Sequence, residues 1–153
     1  MDPGLSQDFA DLLAAFADAE VRYLVINGYA VAFHVRPRFT KDLDLWVASD
    51  AENLDRLAVA LQRFGAPPGM AEDLRLADPL DVVWMGRPPN RVDLMKAVPG
   101  GDFDRAWPQR CETRWGDRPV TIVGREELRA IKLASARPKD LLDIEALDQA
   151  AGT

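Results

Sequence analysis

The stretch Lys41-Asp42-Leu43-Asp44-Leu45-Trp46-Val47 constrains this chain more than any other. Successive side chains of a strand point to opposite faces, so Leu43, Leu45 and Val47 share one face while Asp42 and Asp44 share the other. A segment otherwise suited to burial therefore carries two carboxylates close together. Arg91-Val92-Asp93-Leu94-Met95 repeats the device with a single acid between apolar neighbours. Carboxylates held inward repel one another unless a cation intervenes. Mg²⁺ suits such a group, because it takes a few carboxylates together with phosphate oxygens and water. Asp42, Asp44 and Asp93 are thus the candidate metal ligands.

At 153 residues the chain is long enough for one core and too short for two, so one domain spanning residues 1–153 is expected. A composition of 48% hydrophobic and 29% charged residues is that of a globular protein rather than a disordered one. No stretch is long and apolar enough to span a bilayer, and Met1-Asp2-Pro3-Gly4 lacks the basic start of a signal peptide, which points to the cytoplasm. Cys111, the single cysteine, excludes an internal disulfide and reads as a bystander thiol. A net charge of −6 argues against broad nucleic-acid binding, which needs a basic surface to displace counterions. Local basic groups remain available to phosphates: Arg36, Arg38 and Lys41 precede the acid pair, and Lys132, Arg137 and Lys139 lie near the C-terminus.

Apolar spacing at Phe9, Leu12, Leu13 and Phe16 predicts a helix over 6–19 with Ser6 as its N-cap. Val21 to Ile26 reads as a strand, Asn27-Gly28 as a break, and Tyr29 to Val35 as a helix ended by Pro37. Asp42 to Val47 is the second strand, and Ser49-Asp50 opens a helix to Phe64. The pattern over 70–77 favours no element. Leu80 to Met85 and Arg91 to Met95 read as a hairpin around Gly86-Arg87-Pro88-Pro89-Asn90. A helical turn at 103–107, strands at 111–115 and 120–123, and helices over 125–134 and 139–150 complete the chain. The lone His34 reads as structural, and the four tryptophans, Trp46, Trp84, Trp107 and Trp115, read as core and rim.

A turn, a helix, an acid pair on the next strand and a third acid on a later strand form the arrangement that holds a nucleoside triphosphate. Helix-start N–H groups receive phosphate, and the acids hold the metal that bridges phosphate to nucleophile. The segments Tyr23-Leu24-Val25-Ile26-Asn27-Gly28-Tyr29-Ala30, Pro37-Arg38-Phe39-Thr40 running into the acid strand, Arg91-Val92-Asp93-Leu94, and Ile131 through Asp143 carry a resemblance across most of the chain. It resembles the nucleotidyltransferase fold of the DNA polymerase beta superfamily, in the small bacterial branch of AbiEii-type toxins and uncharacterised nucleotidyltransferase-like proteins. The resemblance implies an α+β domain with a mixed, twisted sheet flanked by helices. Asp42 and Asp44 would be the paired ligands of two Mg²⁺ ions, and Asp93 a third carboxylate that also activates the acceptor hydroxyl. Asn27 and Gly28 would form the triphosphate turn, with Arg38, Lys41, Lys132 and Lys139 near the phosphates. The reaction implied moves a nucleoside monophosphate from a nucleoside triphosphate to a small molecule, a protein or a tRNA, and the toxin-like branch adds an antitoxin partner.

Two departures from the family pattern stand out. Relatives carry Gly-Gly or Gly-Ser where this chain has Asn27-Gly28 followed by Tyr29, and often Gly where it has Ala136. The altered turn supports an alternative, a catalytically silent module that binds a nucleotide or a partner protein, whereas the three retained acids oppose it. A phosphohydrolase using the same acids is the third reading.

Overall fold

The computed structural model describes residues 6–37, 40 and 42–151. Helix α1 (Gln7–Asp18) opens where the Ser6 hydroxyl accepts from the Phe9 N–H at 3.3 Å, and buries Phe9, Leu12, Leu13 and Phe16 on one face. Strand β1 (Tyr23–Ile26) follows, then α2 (Asn27–His34) with no intervening loop. Asn27, expected to break the chain, instead takes φ 59° and turns it directly from strand into helix. Asparagine tolerates the left-handed region better than most residues, which is why the turn needs no glycine at this position.

Strand β2 (Leu43–Val47) starts one residue later than expected, so Asp42 immediately precedes it. Helix α3 (Ala51–Phe64) is capped by the Asp50 carboxylate, which accepts from the Asn53 N–H at 3.1 Å, and it ends at Gly65 with φ 90°. The segment that favoured no element forms α4 (Met70–Leu76), burying Met70, Ala71 and Leu74. Strand β3 (Val83–Met85) pairs antiparallel with β4 (Val92–Met95), as the hairpin required, but is shorter than the expected Leu80–Met85 strand. Helix α5 (Phe103–Ala106) and a 3-10 turn (Trp107–Gln109) lead to β5 (Cys111–Trp115) and β6 (Arg118–Ile122), and α6 (Arg125–Ser135) and α7 (Pro138–Ala151) follow.

The described residues form one six-stranded sheet in the order β3-β4-β2-β1-β6-β5. It is mixed: β2 runs antiparallel to β1 and parallel to β4, and β1 runs parallel to β6. Leu43, Leu45, Val47, Val92 and Leu94 are buried. Alternation turns their neighbours Asp44, Trp46, Asp93 and Met95 to the opposite face. On that face Trp46 meets Phe103 edge to face, with ring centroids 5.3 Å apart. Asn53, 1% exposed, ties the start of β1 to the end of β2: its side chain accepts from the Arg22 N–H at 2.8 Å and donates to the carbonyls of Ala48 and Arg22 at 2.8 and 3.1 Å.

Candidate functional site

Register decides what meets what. Asp44 lies opposite Asp93 on the parallel β2–β4 ladder and opposite Ile26 on the antiparallel β1–β2 ladder. Trp84 lies opposite Asp93 on the other side. One row across the sheet therefore reads Trp84, Asp93, Asp44, Ile26, and Asn27 follows Ile26 at the start of α2.

Asn27 Nδ2 donates to Asp44 Oδ2 at 2.7 Å. The other carboxylate oxygen, Asp44 Oδ1, is buried and has no hydrogen-bond partner, and the same holds for Asp42 Oδ1. Burial, reinforced by the nearby carboxylates of Asp93 and Asp42 and opposed by the Asn27 amide, pushes the Asp44 carboxyl up to about 6. Two buried acceptor oxygens with nothing to accept from form an electron-rich pair, and a divalent cation fits it by charge and by ligand chemistry.

Asp93 is held differently. Arg91 Nε donates to Asp93 Oδ1 at 2.7 Å, and the guanidinium carbon lies 4.6 Å from the centre of the Trp84 ring. Among the described residues, no three His, Cys, Asp or Glu side chains are already gathered round a point that a metal ion could occupy. Sequence reasoning passed over Arg91, although its position two residues before Asp93 on one strand face was the signal.

Helix α2 begins at Asn27 with no side-chain cap, which leaves its first-turn N–H groups to other acceptors. Gly28 is needed here for a steric reason: a β-carbon would stand 2.7 Å from Thr40 Cγ2. Tyr29, the bulky residue of the altered turn, points into the core at 7% exposure, edge to face with Phe9, and its hydroxyl donates to the Thr40 carbonyl at 3.3 Å. Its ring thus fills the core, while its hydroxyl end lies within electrostatic reach of Asp42, whose charge adds to burial in pushing the phenol up.

The basic residues divide. Arg38 and Lys41 lie outside the described residues. Lys132, expected near phosphates, is 2% exposed, with its ammonium 3.1 Å from Asp143 and 3.4 Å from Asp140. Arg137 completes this cluster, donating to both carboxylate oxygens of Asp140 at 2.7 and 3.2 Å and holding that acid well below the usual carboxylate range. Lys132 thus clasps α6 to α7 across Ala136, and its charge is balanced inside the protein. Lys139 is exposed on α7.

Other residues have structural places. His34 Nε2 lies 2.7 Å from the Val123 carbonyl, joining α2 to the end of β6, and burial lowers its pKa. Cys111 is half-buried, with its thiol pushed up by burial. Trp46 and Trp115 are buried, whereas Trp84 is 55% exposed beside the acids. No helix of the described residues is long and apolar enough to cross a membrane.

No family model matches the chain, and no curated protein is similar to it in sequence. Solved structures do share its fold. The solution structure of the antibiotic-resistance factor ANT(2'')-Ia superposes with a TM-score of 0.58 at 19% identity, over 99% of this chain and 85% of that one. The lincosamide antibiotic adenylyltransferase LnuA, in its lincomycin-bound crystal structure, gives 0.56 at 17%, over 95% and 98%. An antigenic nucleotidyltransferase-like protein from Paracoccidioides brasiliensis gives 0.51 at 19%, over 95% and 77%. The architecture is that of the nucleotidyltransferases, as the resemblance implied.

Proposed function

We propose that this chain, built on the nucleotidyltransferase fold, transfers a nucleoside monophosphate from a nucleoside triphosphate to the hydroxyl of a small acceptor molecule. The observation that carries this reading is the buried pair of unpartnered oxygens on Asp42 and Asp44, with Asp93 in register beside them. Asp42, Asp44 and Asp93 would hold the divalent metal, Mg²⁺ by its preference for carboxylate and phosphate oxygens, and that metal supplies charge neutralisation on the triphosphate. Asn27 orients Asp44, and the uncapped start of α2 receives phosphate oxygen. Asp93 takes the proton of the acceptor hydroxyl as its oxygen bonds to the α-phosphorus. The bond from that phosphorus to the bridging oxygen then breaks, and pyrophosphate leaves.

Two features support a small acceptor. One of the neighbours is a lincosamide antibiotic adenylyltransferase in its lincomycin-bound form, and ANT(2'')-Ia has also been solved with adenylyl-2''-tobramycin. The net charge of −6 disfavours a long nucleic acid. ATP is accordingly the first donor to test. Incubation with α-labelled ATP, Mg²⁺ and a set of hydroxylated small molecules should release pyrophosphate and label one acceptor class. Asp44→Asn should do neither while keeping its fold, and retained activity in that variant would sink the assignment.

A second reading, the silent binding module, draws on the hold of Arg91 on Asp93. It predicts nucleotide binding without pyrophosphate release. An AbiEii-like toxin with an antitoxin partner is the reading for a protein or tRNA acceptor. Growth arrest on expression, relieved by Asp44→Asn, would favour it.

A further inference from the structure

Trp84 stands opposite Asp93 in register on the edge strand β3, and Arg91 bridges the two. Its Nε donates to Asp93 Oδ1 at 2.7 Å, and its guanidinium carbon lies over the Trp84 ring, 4.6 Å from the centre. Trp84 remains 55% exposed even so, and Val82, two residues before it, is exposed as well. Edge strands are usually blunted with charge or proline, so an open tryptophan beside a candidate catalytic carboxylate is out of keeping with a plain edge. The guanidinium also has spare capacity. Arg91 spends its Nε–H on Asp93, and among the described residues nothing accepts from its two terminal nitrogens.

We propose that Trp84 and Arg91 form the seat of the acceptor and select a small hydroxylated compound that carries a flat ring and a carboxylate or phosphate group. The inference rests on the nucleotidyl-transfer reading above and adds the acceptor's chemical class. The order of residues across the sheet assigns the side. Asn27 and the start of α2, which receive phosphate oxygen in that reading, lie beyond Asp44, so the acceptor hydroxyl reaches Asp93 from the Trp84 side. Its oxygen bonds to the α-phosphorus, its proton passes to Asp93, and pyrophosphate leaves. A flat ring gains contact area on the open indole. The terminal N–H groups of Arg91 form a fork that takes a carboxylate or phosphate through two parallel hydrogen bonds. A cationic amine in the same place meets the guanidinium as a like charge, and an acceptor without a ring leaves the indole uncovered.

The test separates ring from charge. Binding is read by ligand-observed NMR in Mg²⁺ with the donor site filled by α,β-methylene-ATP, whose own uptake is measured by calorimetry. The probes share a hydroxymethyl group: para-hydroxymethylbenzoate has a ring and a carboxylate, para-hydroxymethylbenzylamine a ring and an ammonium, and glycolate a carboxylate alone. Wild type should bind the benzoate about tenfold or more tighter than either of the others. Trp84→Ala should lower the benzoate affinity about fivefold or more, and Trp84→Phe, which keeps a ring, should restore most of it. Arg91→Gln should abolish the preference for the benzoate over the benzylamine. Circular dichroism checks the fold of each variant. Unchanged benzoate affinity in Trp84→Ala, a wild type that prefers the benzylamine, or one that binds no probe would overturn the assignment. So would a wild-type dimer in gel filtration that Trp84→Ala converts to a monomer, since the open indole would then belong to a second copy. Failure to take up α,β-methylene-ATP would instead remove the nucleotidyl-transfer reading, and this proposal with it.

Discussion

Asn27 Nδ2 donates to Asp44 Oδ2 at 2.7 Å, joining the altered turn to the acid pair. Asn27 therefore supplies the left-handed backbone of the turn and also anchors a candidate metal ligand. Asn27→Gly should keep the backbone and lose the anchor, whereas Asn27→Ala loses the anchor and strains the turn. Both should lower turnover, about tenfold or more, since a shift of about 1 Å in a ligand has that scale of effect. Only Asn27→Ala should also lower the melting temperature by several degrees. Equal melting temperatures would show that the turn is not strained by alanine.

Asp44→Asn removes one of the crowded carboxylates. In metal-free buffer near pH 8 the variant should be more stable than wild type by about 1 kcal/mol, a rise of a few degrees in melting temperature. Addition of Mg²⁺ should raise the wild type and leave the variant unmoved. A variant less stable than wild type in both conditions would argue that the acid is structural.

Asn53 satisfies three backbone groups from a buried position. Asn53→Ala leaves them unpaired at about 1–3 kcal/mol each, so urea denaturation should show a loss of about 3 kcal/mol or more. A loss under about 1 kcal/mol would mean that water replaces the amide.

Ala136 takes φ 50° at the end of α6, the backbone region where glycine carries no β-carbon penalty. Ala136→Gly should stabilise the fold by about 1 kcal/mol, read as a higher urea midpoint at unchanged slope. The alanine at this position is thus a small, correctable strain.

His34 gives the pH signature. Its folded pKa lies below the ordinary value of 6.5, chiefly through burial, so between those two values the unfolded chain binds more protons. Stability contributed by neutral His34 is complete above pH 6.5 and is lost as pH falls toward the folded pKa. The stability difference between wild type and His34→Gln, measured by urea denaturation from pH 7.5 to 5, should shrink as pH falls. A difference that is flat across that window would exclude the histidine as its source.

The parts legible in the sequence were those fixed by local periodicity. Alternation at Asp42 to Val47 and Arg91 to Met95 placed Asp44 and Asp93 on strands, with Asp42 falling just before β2, and the Ser6 and Asp50 caps marked the starts of α1 and α3. Long-range pairing was hidden. Lys132 reads as a free cation along the chain because Asp140 and Asp143 reach it only after the bend at Ala136. The seven residues of α4 are too few for a helical period to declare itself. Leu80 and Val82 are apolar and read as strand, but 62% and 42% exposure shows that they serve a surface rather than the ladder.

The parallel pairing of β2 with β4 has a consequence for how such a chain can change. Asp44 and Asp93 are neighbours because of a hydrogen-bond ladder, not because of the length of chain that separates them. The loops between Val47 and Val92, such as those at 65–69 and 86–90, can be lengthened with little cost to the pairing. Deleting one residue within Leu43 to Leu45 would invert the alternation and send a carboxylate into the core. New recognition surfaces can therefore be grafted onto the connecting segments, while the strands that carry the acids leave almost no room for insertion.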